Sequence, residues 1–313
     1  MARIYVTRHL PGDAVERLRA SHDVDVWPED GPPPHEVLIE HARDADALLT
    51  MLTERINAEF LGAVGPLLGV ANYAVGTDNV DLGACTAAGI PVGNTPDVLT
   101  DATADLAFAL LLAAARRIRD ADEAVRTGNW PTWSPGAFLG QDVAGATLGI
   151  VGYGRIGKAV GRRGEGFGME VIHNSRSGGL SLDEVLQRSD YVSLHAPLTP
   201  QTRGLIGERE LGLMKPTAIL VNTARGEMVQ AGALERALKE GEIAAAALDV
   251  TDPEPLPADH PLLTAPNLTV VPHIGSATRP TREKMADMAA NNLLAALAGE
   301  RMPYCANPEV YER

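Results

Sequence analysis

The chain has few cysteines, no long apolar run and a shortage of positive charge, and each deficit excludes a class of protein. Its 313 residues include two cysteines, Cys85 and Cys305. These form neither a metal-binding pair nor a disulfide framework, so a reducing compartment is expected. The longest apolar run, 106–115, is far short of the ~20 residues that a membrane span requires. Residues 1–6 read as a strand rather than a signal sequence. We therefore predict a cytoplasmic protein with no membrane partner.

The charge balance is strongly acidic, with 27 Lys and Arg against 41 Asp and Glu and a net charge of −14. Such a surface repels phosphate backbones, so no nucleic-acid partner is expected. The eight histidines show no H-E-x-x-H or related spacing, and we predict no metal site. The hydrophobic and charged fractions, 45% and 22%, are those of a globular protein. A chain longer than ~250 residues is expected to form two domains.

Short apolar runs alternate with amphipathic stretches in the first hundred residues. The predicted strands are 3–7, 24–27, 47–51, 67–72 and 90–93. This alternation favours parallel βαβ units. The segment 97–117 is rich in Ala and Leu and is predicted to be one long helix that leads out of the first domain.

A second alternating series begins at residue 147. Its predicted strands are 147–151, 170–173, 191–194, 218–222, 245–249 and 268–271. Helices are predicted notably at 156–166, 182–187 and 231–240. Six strands with intervening helices favour a doubly wound parallel sheet. The last predicted helix, 279–297, has no strand after it and could return the chain to the first domain.

A glycine-rich turn joins the first strand of this series to its helix. Gly152, Gly154 and Gly157 form the pattern G-x-G-x-x-G. The first glycine allows a tight turn, the second lets a pyrophosphate approach the backbone, and the third permits close helix–sheet packing. The N–H groups of Arg155 and Ile156 would then meet the phosphates at the positive end of the helix. The context predicts a dinucleotide site.

The end of the next strand normally distinguishes NAD from NADP. An Asp or Glu about 20 residues after the glycines would bind the ribose 2′-hydroxyl of NAD, whereas Arg can pair with a 2′-phosphate. Here the chain has Ser175, Arg176 and Ser177. We predict that NADP(H) is preferred and that NAD(H) remains possible. The alternative interpretation is a solvated surface loop.

Three polar residues, Arg225, Glu254 and His273, each follow a predicted strand of the second series. Catalytic groups in open α/β sheets collect at the strand carboxyl ends. Reduction of a 2-oxo acid needs a cation for the carboxylate, which a guanidinium binds through two oxygens. It also needs a proton donor such as His, and a carboxylate bonded to the imidazole stabilises its protonated form. Each residue alone would read as an ordinary surface group, but together they indicate an oxidoreductase.

With these residues the sequence resembles the D-isomer-specific 2-hydroxyacid dehydrogenase family, and within it the glyoxylate/hydroxypyruvate reductases. The resemblance covers nearly the whole chain, and its most specific segments are 72–81, 94–105, 149–157, 222–226 and 272–276. It implies NAD(P)H-dependent reduction of small 2-oxo acids, most directly glyoxylate to glycolate and hydroxypyruvate to D-glycerate. It further implies Arg225 as substrate clamp, His273 as acid/base and Glu254 as its partner.

The resemblance implies additional site residues. Backbone N–H groups at Val75 and Gly76, together with Ser276, would bind the substrate. The residues implied to contact the cofactor are Asp249 at the nicotinamide carboxamide, Thr103 at a phosphate, and Thr223, Ala196 and Pro197 along its length. The paired-Trp segment 128–135 is typical of the reductases, which are homodimers. Trp133 would reach the partner subunit's active site, although local packing of the Trp pair in the dimer interface remains an alternative.

The implied fold has two Rossmann-like domains with doubly wound parallel sheets and the active site in the cleft between them. Residues 1–97 would form the substrate domain, 98–284 the dinucleotide-binding domain, and 285–313 the return to the substrate domain. Other specificities of the family remain open, namely D-3-phosphoglycerate, D-lactate or phosphite. A non-catalytic dinucleotide-sensing scaffold of the corepressor type is the alternative from another functional class.

Overall fold

The computed structural model describes residues 1–312 and divides into two units. One contains Met1–Leu99 together with the chain from Ala277 onward, and the other contains Thr100–Ser276. Both are α/β units built on parallel sheets, as the alternating pattern predicts. The expected changes of domain after residues 97 and 284 lie near these positions.

The first unit contains a five-stranded parallel sheet. Its strands are β1 (Arg3–Val6), β2 (Asp23–Val26), β3 (Ala47–Thr50), β4 (Gly69–Asn72) and β5 (Val92–Gly93). Their order is β2-β1-β3-β4-β5, and every pairing is parallel. All residues of β3 and β4 are buried, which explains why the two strands are mostly apolar up to Thr50 and Asn72 at their ends. The order reverses between β1 and β3, so the carboxyl ends of these two strands form a topological switch point.

Helices cover both faces of this sheet. They are α1 (Ala14–Arg19), α2 (His35–Arg43), α3 (Ala58–Ala63), α4 (Leu82–Ala87) and the C-terminal helix (Arg279–Leu297). The C-terminal helix begins after Thr278, whose hydroxyl accepts from the N–H of Thr281. It buries Ala286, Ala289 and Leu293 in the same cluster as the residues of β1 and β3. The return to the first unit therefore includes this whole helix, rather than beginning at residue 285, because the helix packs on that sheet.

The second unit contains a seven-stranded sheet. Its strands are β6 (Thr147–Val151), β7 (Glu170–Ser175), β8 (Gly178–Gly179), β9 (Tyr191–Leu194), β10 (Ile219–Asn222), β11 (Ala245–Leu248) and β12 (Leu268–Val270). The order is β12-β11-β10-β9-β6-β7-β8, with only β8 antiparallel to its neighbour. The order reverses between β6 and β9, so the glycine-rich turn after β6 lies at the switch point of this sheet.

The helices of the second unit are α5 (Thr100–Ala115), α6 (Ile118–Arg126), α7 (Arg155–Gly166), α8 (Leu182–Arg188), α9 (Glu208–Leu213) and α10 (Ala231–Glu240). The long Ala- and Leu-rich helix predicted within 97–117 is present as α5, but it is shorter at both ends. Asp97 and Arg117 adopt left-handed φ values of 67° and 52°, and Arg117 precedes the separate helix α6. Between residues 1 and 312, no helix is both long enough and apolar enough to cross a membrane.

Candidate active site

The glycine-rich turn has the shape that a dinucleotide requires. Gly152 has φ +96°, and a side chain there would overlap the backbone of Ala196. A side chain at Gly157 would overlap the carbonyl of Gly152, whereas the space around Gly154 is open. Helix α7 begins directly after Gly154 without a side-chain cap, and the positive N-terminus of such a helix favours an anion. The turn therefore fits a pyrophosphate, with Arg155 and Ile156 opening the helix.

No carboxylate follows β7 before the chain turns into β8. The Ser175 hydroxyl donates to the carbonyl of Gly178 at 2.9 Å and lies 3.1 Å from the hydroxyl of Ser177. Arg176 is exposed at the tip of this turn. The edge of the sheet that normally selects the cofactor thus carries two hydroxyls and a cation.

A histidine–carboxylate pair lies after the last two strands. His273, which follows β12, places Nδ1 2.5 Å from Oε1 of Glu254, which follows β11. The two side chains are 28% and 33% exposed, so ligands can reach them. Because the carboxylate engages Nδ1, Nε2 is the nitrogen left to exchange a proton with a ligand. The structure thus brings His273 and Glu254 into contact, and their role as an acid/base pair stays a prediction.

The carboxylate of Asp249 binds the backbone of the loop that carries His273. His273 has the left-handed φ of +51°. The two carboxylate oxygens of Asp249 accept from the N–H groups of Ile274 at 2.6 Å and Gly275 at 2.8 Å. Burial raises the pKa of Asp249, while these N–H groups oppose the rise. Thr103 lies close to Gly275, within 3.4 Å of where a β-carbon there would be. Asp249 thus fixes the backbone beside the His273–Glu254 pair.

The turn that carries Arg225 is closed by Asn222, to which the sequence motifs assign no role. The amide oxygen of Asn222 accepts from the N–H of Ala224 at 3.0 Å, and its nitrogen donates to the carbonyl of Arg225 at 2.8 Å. A side chain at Gly226 would overlap the carbonyl of Thr251, so this turn packs against the loop that leads to Glu254. An amide at a strand end before a turn is the local signal that could have indicated Asn222.

Contacts in the second unit join Thr103, Asp249, Glu254 and His273. Thr223 is buried, and its hydroxyl has no hydrogen-bond partner within residues 1–312. Ala196 and Pro197 follow β9, and Ala196 lies against the glycine-rich turn. Ser276 ends the second unit. None of these contacts involves Trp133.

Two further predicted site features are not among those contacts. Trp133 is 76% exposed. Val75 and Gly76 follow β4 in the first unit, and their carbonyls accept from the side chains of Asn94 and Asn72. No group of three or more His, Cys, Asp or Glu in the described chain could hold a metal ion.

The site has recognisable relatives. Residues 108–275 match the family described as D-isomer specific 2-hydroxyacid dehydrogenase, NAD binding domain. A glyoxylate reductase of Thermococcus gammatolerans is 50% identical over 98% of this chain and 96% of its own length. One from Korarchaeum cryptofilum is 48% identical over 98% of this chain and 96% of its own length.

Solved structures agree with this match. The TT0316 protein of Thermus thermophilus is 47% identical, with a TM-score of 0.93 over 97% of this chain and 99% of its own. An NADPH-dependent glyoxylate/hydroxypyruvate reductase of Sinorhizobium meliloti, in complex with NADP and malonate, is 31% identical. Its TM-score is 0.87 over 98% of this chain and 97% of its own. The chain belongs to the D-isomer specific 2-hydroxyacid dehydrogenase family, as its motifs predict.

Proposed function

We propose that the protein is an NAD(P)H-dependent reductase that converts glyoxylate to glycolate and hydroxypyruvate to D-glycerate. The observation that carries this proposal is the His273–Glu254 pair, 2.5 Å apart at the carboxyl edge of the sheet that bears the dinucleotide turn. The substrate class rests on the glyoxylate reductases that share about half of their residues with this chain.

The placement of these groups supports a mechanism for the reduction. A reduced nicotinamide, when bound at the glycine-rich turn, would supply the hydride for the carbonyl carbon. His273 donates a proton from Nε2 to the carbonyl oxygen as negative charge develops there. Glu254 stabilises the imidazolium before transfer and fixes the ring through Nδ1. We propose that Arg225 holds the substrate carboxylate and that the N–H groups of Val75 and Gly76, with Ser276, bind it as well.

The test of this function is reduced-nicotinamide oxidation by the purified protein against a panel of small 2-oxo acids. We expect glyoxylate and hydroxypyruvate to be the best substrates. His273→Ala should lower kcat by ~10²–10⁴-fold while the protein stays folded. Arg225→Ala should raise KM steeply and lower kcat, because the clamp both binds and orients the substrate.

The panel also separates the alternatives. Preference for phosphohydroxypyruvate or pyruvate would assign another specificity of the family. Reduction of NAD(P)+ by phosphite, measured in a separate assay, would assign the phosphite specificity. Cofactor binding without turnover on any member of the panel would favour the non-catalytic scaffold. Wild-type turnover in His273→Ala would overturn the assignment of the acid/base.

We propose a preference for NADPH over NADH, supported by the two hydroxyls and the exposed Arg176 after β7. A charge-assisted hydrogen bond from Arg176 to a 2′-phosphate would contribute ~1.5–3 kcal/mol, or about 10- to 100-fold. Exposure and salt reduce this gain, so we expect about tenfold. Ser175→Asp should shift kcat/KM toward NADH, because a carboxylate accepts from the ribose and repels a phosphate. A wild-type ratio that favours NADH would contradict the preference.

We also propose that the protein is a homodimer. Helix α6 buries none of its residues in the chain, and its Ile118 and Val125 are more than half exposed. Trp130, Trp133 and Leu139, which follow it, are also exposed. A second copy covering these exposed apolar side chains would remove them from water. Sedimentation should give a dimer, and a monomer would refute the proposal.

Trp133 tests whether the same segment contributes to selectivity. If it reaches the substrate of the partner subunit, Trp133→Ala should change the ratio of glyoxylate to hydroxypyruvate kcat/KM while the dimer persists. An unchanged ratio would favour local packing in the interface. A cytoplasmic location, and the absence of nucleic-acid and membrane partners, remain predictions.

A further inference from the structure

The buried carboxylate of Glu54 lies at the carboxyl ends of β1 and β3, the switch point of the first unit. Glu54 is 3% exposed. Its Oε2 accepts from the hydroxyl of Thr7 at 2.7 Å and from the N–H of Met51 at 2.6 Å. Its Oε1 accepts from the hydroxyl of Thr53 at 2.6 Å and from Arg8 at 3.3 Å. Four donors compensate the buried charge, so this corner of the sheet is a fixed anchor.

Two asparagines extend from this anchor toward β4. The nitrogen of Asn79 donates to the carbonyls of Met51 at 3.0 Å and Glu54 at 2.9 Å. Its oxygen accepts from the nitrogen of Asn72 at 3.1 Å, and that nitrogen also donates to the carbonyl of Gly76 at 3.0 Å. Asn72 is fully buried. The Glu54 corner is thus connected to the turn after β4.

The turn itself is held at three successive carbonyls. The carbonyl of Ala74 accepts from the N–H of Thr95 at 2.9 Å. The carbonyl of Val75 accepts from the side chain of Asn94 at 2.9 Å, and that of Gly76 accepts from Asn72. Each carbonyl shares a rigid plane with the next N–H. The first two bonds therefore orient the N–H groups of Val75 and Gly76, which have no acceptor within residues 1–312.

We infer that Asn94 and Asn79 are positioning residues for the substrate carboxylate. Asn94 fixes the plane of the Gly76 N–H directly, and Asn79 fixes the far side of the turn through Asn72. This inference rests on the proposed function, because it takes the substrate to be a 2-oxo acid bound at these N–H groups. It adds two residues to which the sequence motifs assign no role.

The inference predicts a change in KM without a matching change in kcat. A carboxylate bound equally before and during hydride transfer contributes uniform binding, whose loss raises KM alone. Asn94→Ala frees the peptide plane, and the loss of one well-oriented bond to a charged group corresponds to about tenfold. We expect glyoxylate KM to rise about tenfold, cofactor KM to stay constant, and kcat to change by less than about threefold.

Asn94→Asp sharpens the test because it keeps the shape of the side chain. It removes the donor and adds a negative charge near the bound carboxylate, so its glyoxylate KM should exceed that of Asn94→Ala. Asn79→Ala should raise glyoxylate KM in the same way from the opposite end of the turn. The matched control is Asn57→Ala. Asn57 caps α3 in the same unit by accepting from Phe60, and its loss should lower stability without changing KM.

The outcomes separate this inference from the proposed function. An active wild type with unchanged glyoxylate KM in both Asn94→Ala and Asn79→Ala overturns the inference and leaves the reductase assignment intact. An equal rise in KM in Asn57→Ala also overturns it, since loss of stability would then explain the effect. A wild type that reduces no 2-oxo acid overturns both.

Discussion

Asp249→Asn tests whether the loop of His273 depends on a buried carboxylate. Asp249 is 2% exposed, and its two oxygens accept from two consecutive N–H groups, those of Ile274 and Gly275. An Asn at this position can accept only one of these bonds, because its NH₂ group would face the other N–H. The substitution therefore changes the support of His273 without changing the size of the side chain.

The cost can be worked from the bonds that are lost. A hydrogen bond to a charged acceptor contributes ~1.5–3 kcal/mol, and an unsatisfied buried N–H costs ~1–3 kcal/mol. Part of this loss is offset, because the buried carboxylate of Asp249, whose pKa is raised by burial, is replaced by a neutral amide that costs less to bury. We expect the free energy of unfolding to fall by ~2–4 kcal/mol. Because His273 has a left-handed backbone that costs ~1–3 kcal/mol to hold, the loop should relax and kcat should fall at least about tenfold.

Urea unfolding gives the stability, and steady-state kinetics with glyoxylate gives kcat and both KM values. Asp190→Asn is the matched control. Asp190 also accepts from a backbone N–H and from Lys215, but it lies at the amino ends of the strands, whereas Asp249 lies at their carboxyl ends. It should lose stability and keep kcat. If Asp249→Asn kept its stability and kcat but raised cofactor KM, Asp249 would act only as a cofactor contact and this reasoning would be refuted.

Two further predictions concern stability at low pH and backbone packing. Burial lowers the pKa of His195 from 6.5 to about 3. The contribution of the neutral imidazole to the free energy of unfolding is therefore fully present above pH 6.5 and is lost as the pH falls toward 3. At about pH 5 the loss should reach ~1–2 kcal/mol after allowance for solvent screening, and urea unfolding of His195→Asn should show no such loss. Gly226→Ala should lower kcat/KM at least about tenfold, because its β-carbon would overlap the carbonyl of Thr251. Gly232→Ala, in open space on α10, should leave kcat/KM unchanged.

The alternating pattern predicts the strands of both sheets, but it does not predict every element. β8 consists of two glycines and is extended only because it pairs with β7, so no local preference indicates it. Helix α6 has apolar residues at helical spacing, Ile118, Ala121 and Val125, so its sequence does indicate a helix. What the sequence does not indicate is the break that separates it from α5, because that break depends on the left-handed φ of Arg117, which is uncommon for an arginine.

The candidate site likewise has residues that the sequence indicates and residues that it does not. The glycine spacing and the polar residues after the strands indicate Gly152, Glu254 and His273, because each of these signals is local in the sequence. The support of the site depends instead on which strand ends are neighbours. Thr7 and Glu54 meet because β1 lies beside β3, and that adjacency follows from strand order, which no local pattern encodes. The amide bonds that hold the turn after β4 have the same origin. Residues that position a ligand through such bonds therefore cannot be identified from a single sequence. Residues in local motifs, which are the ones expected to contact the ligand, can be.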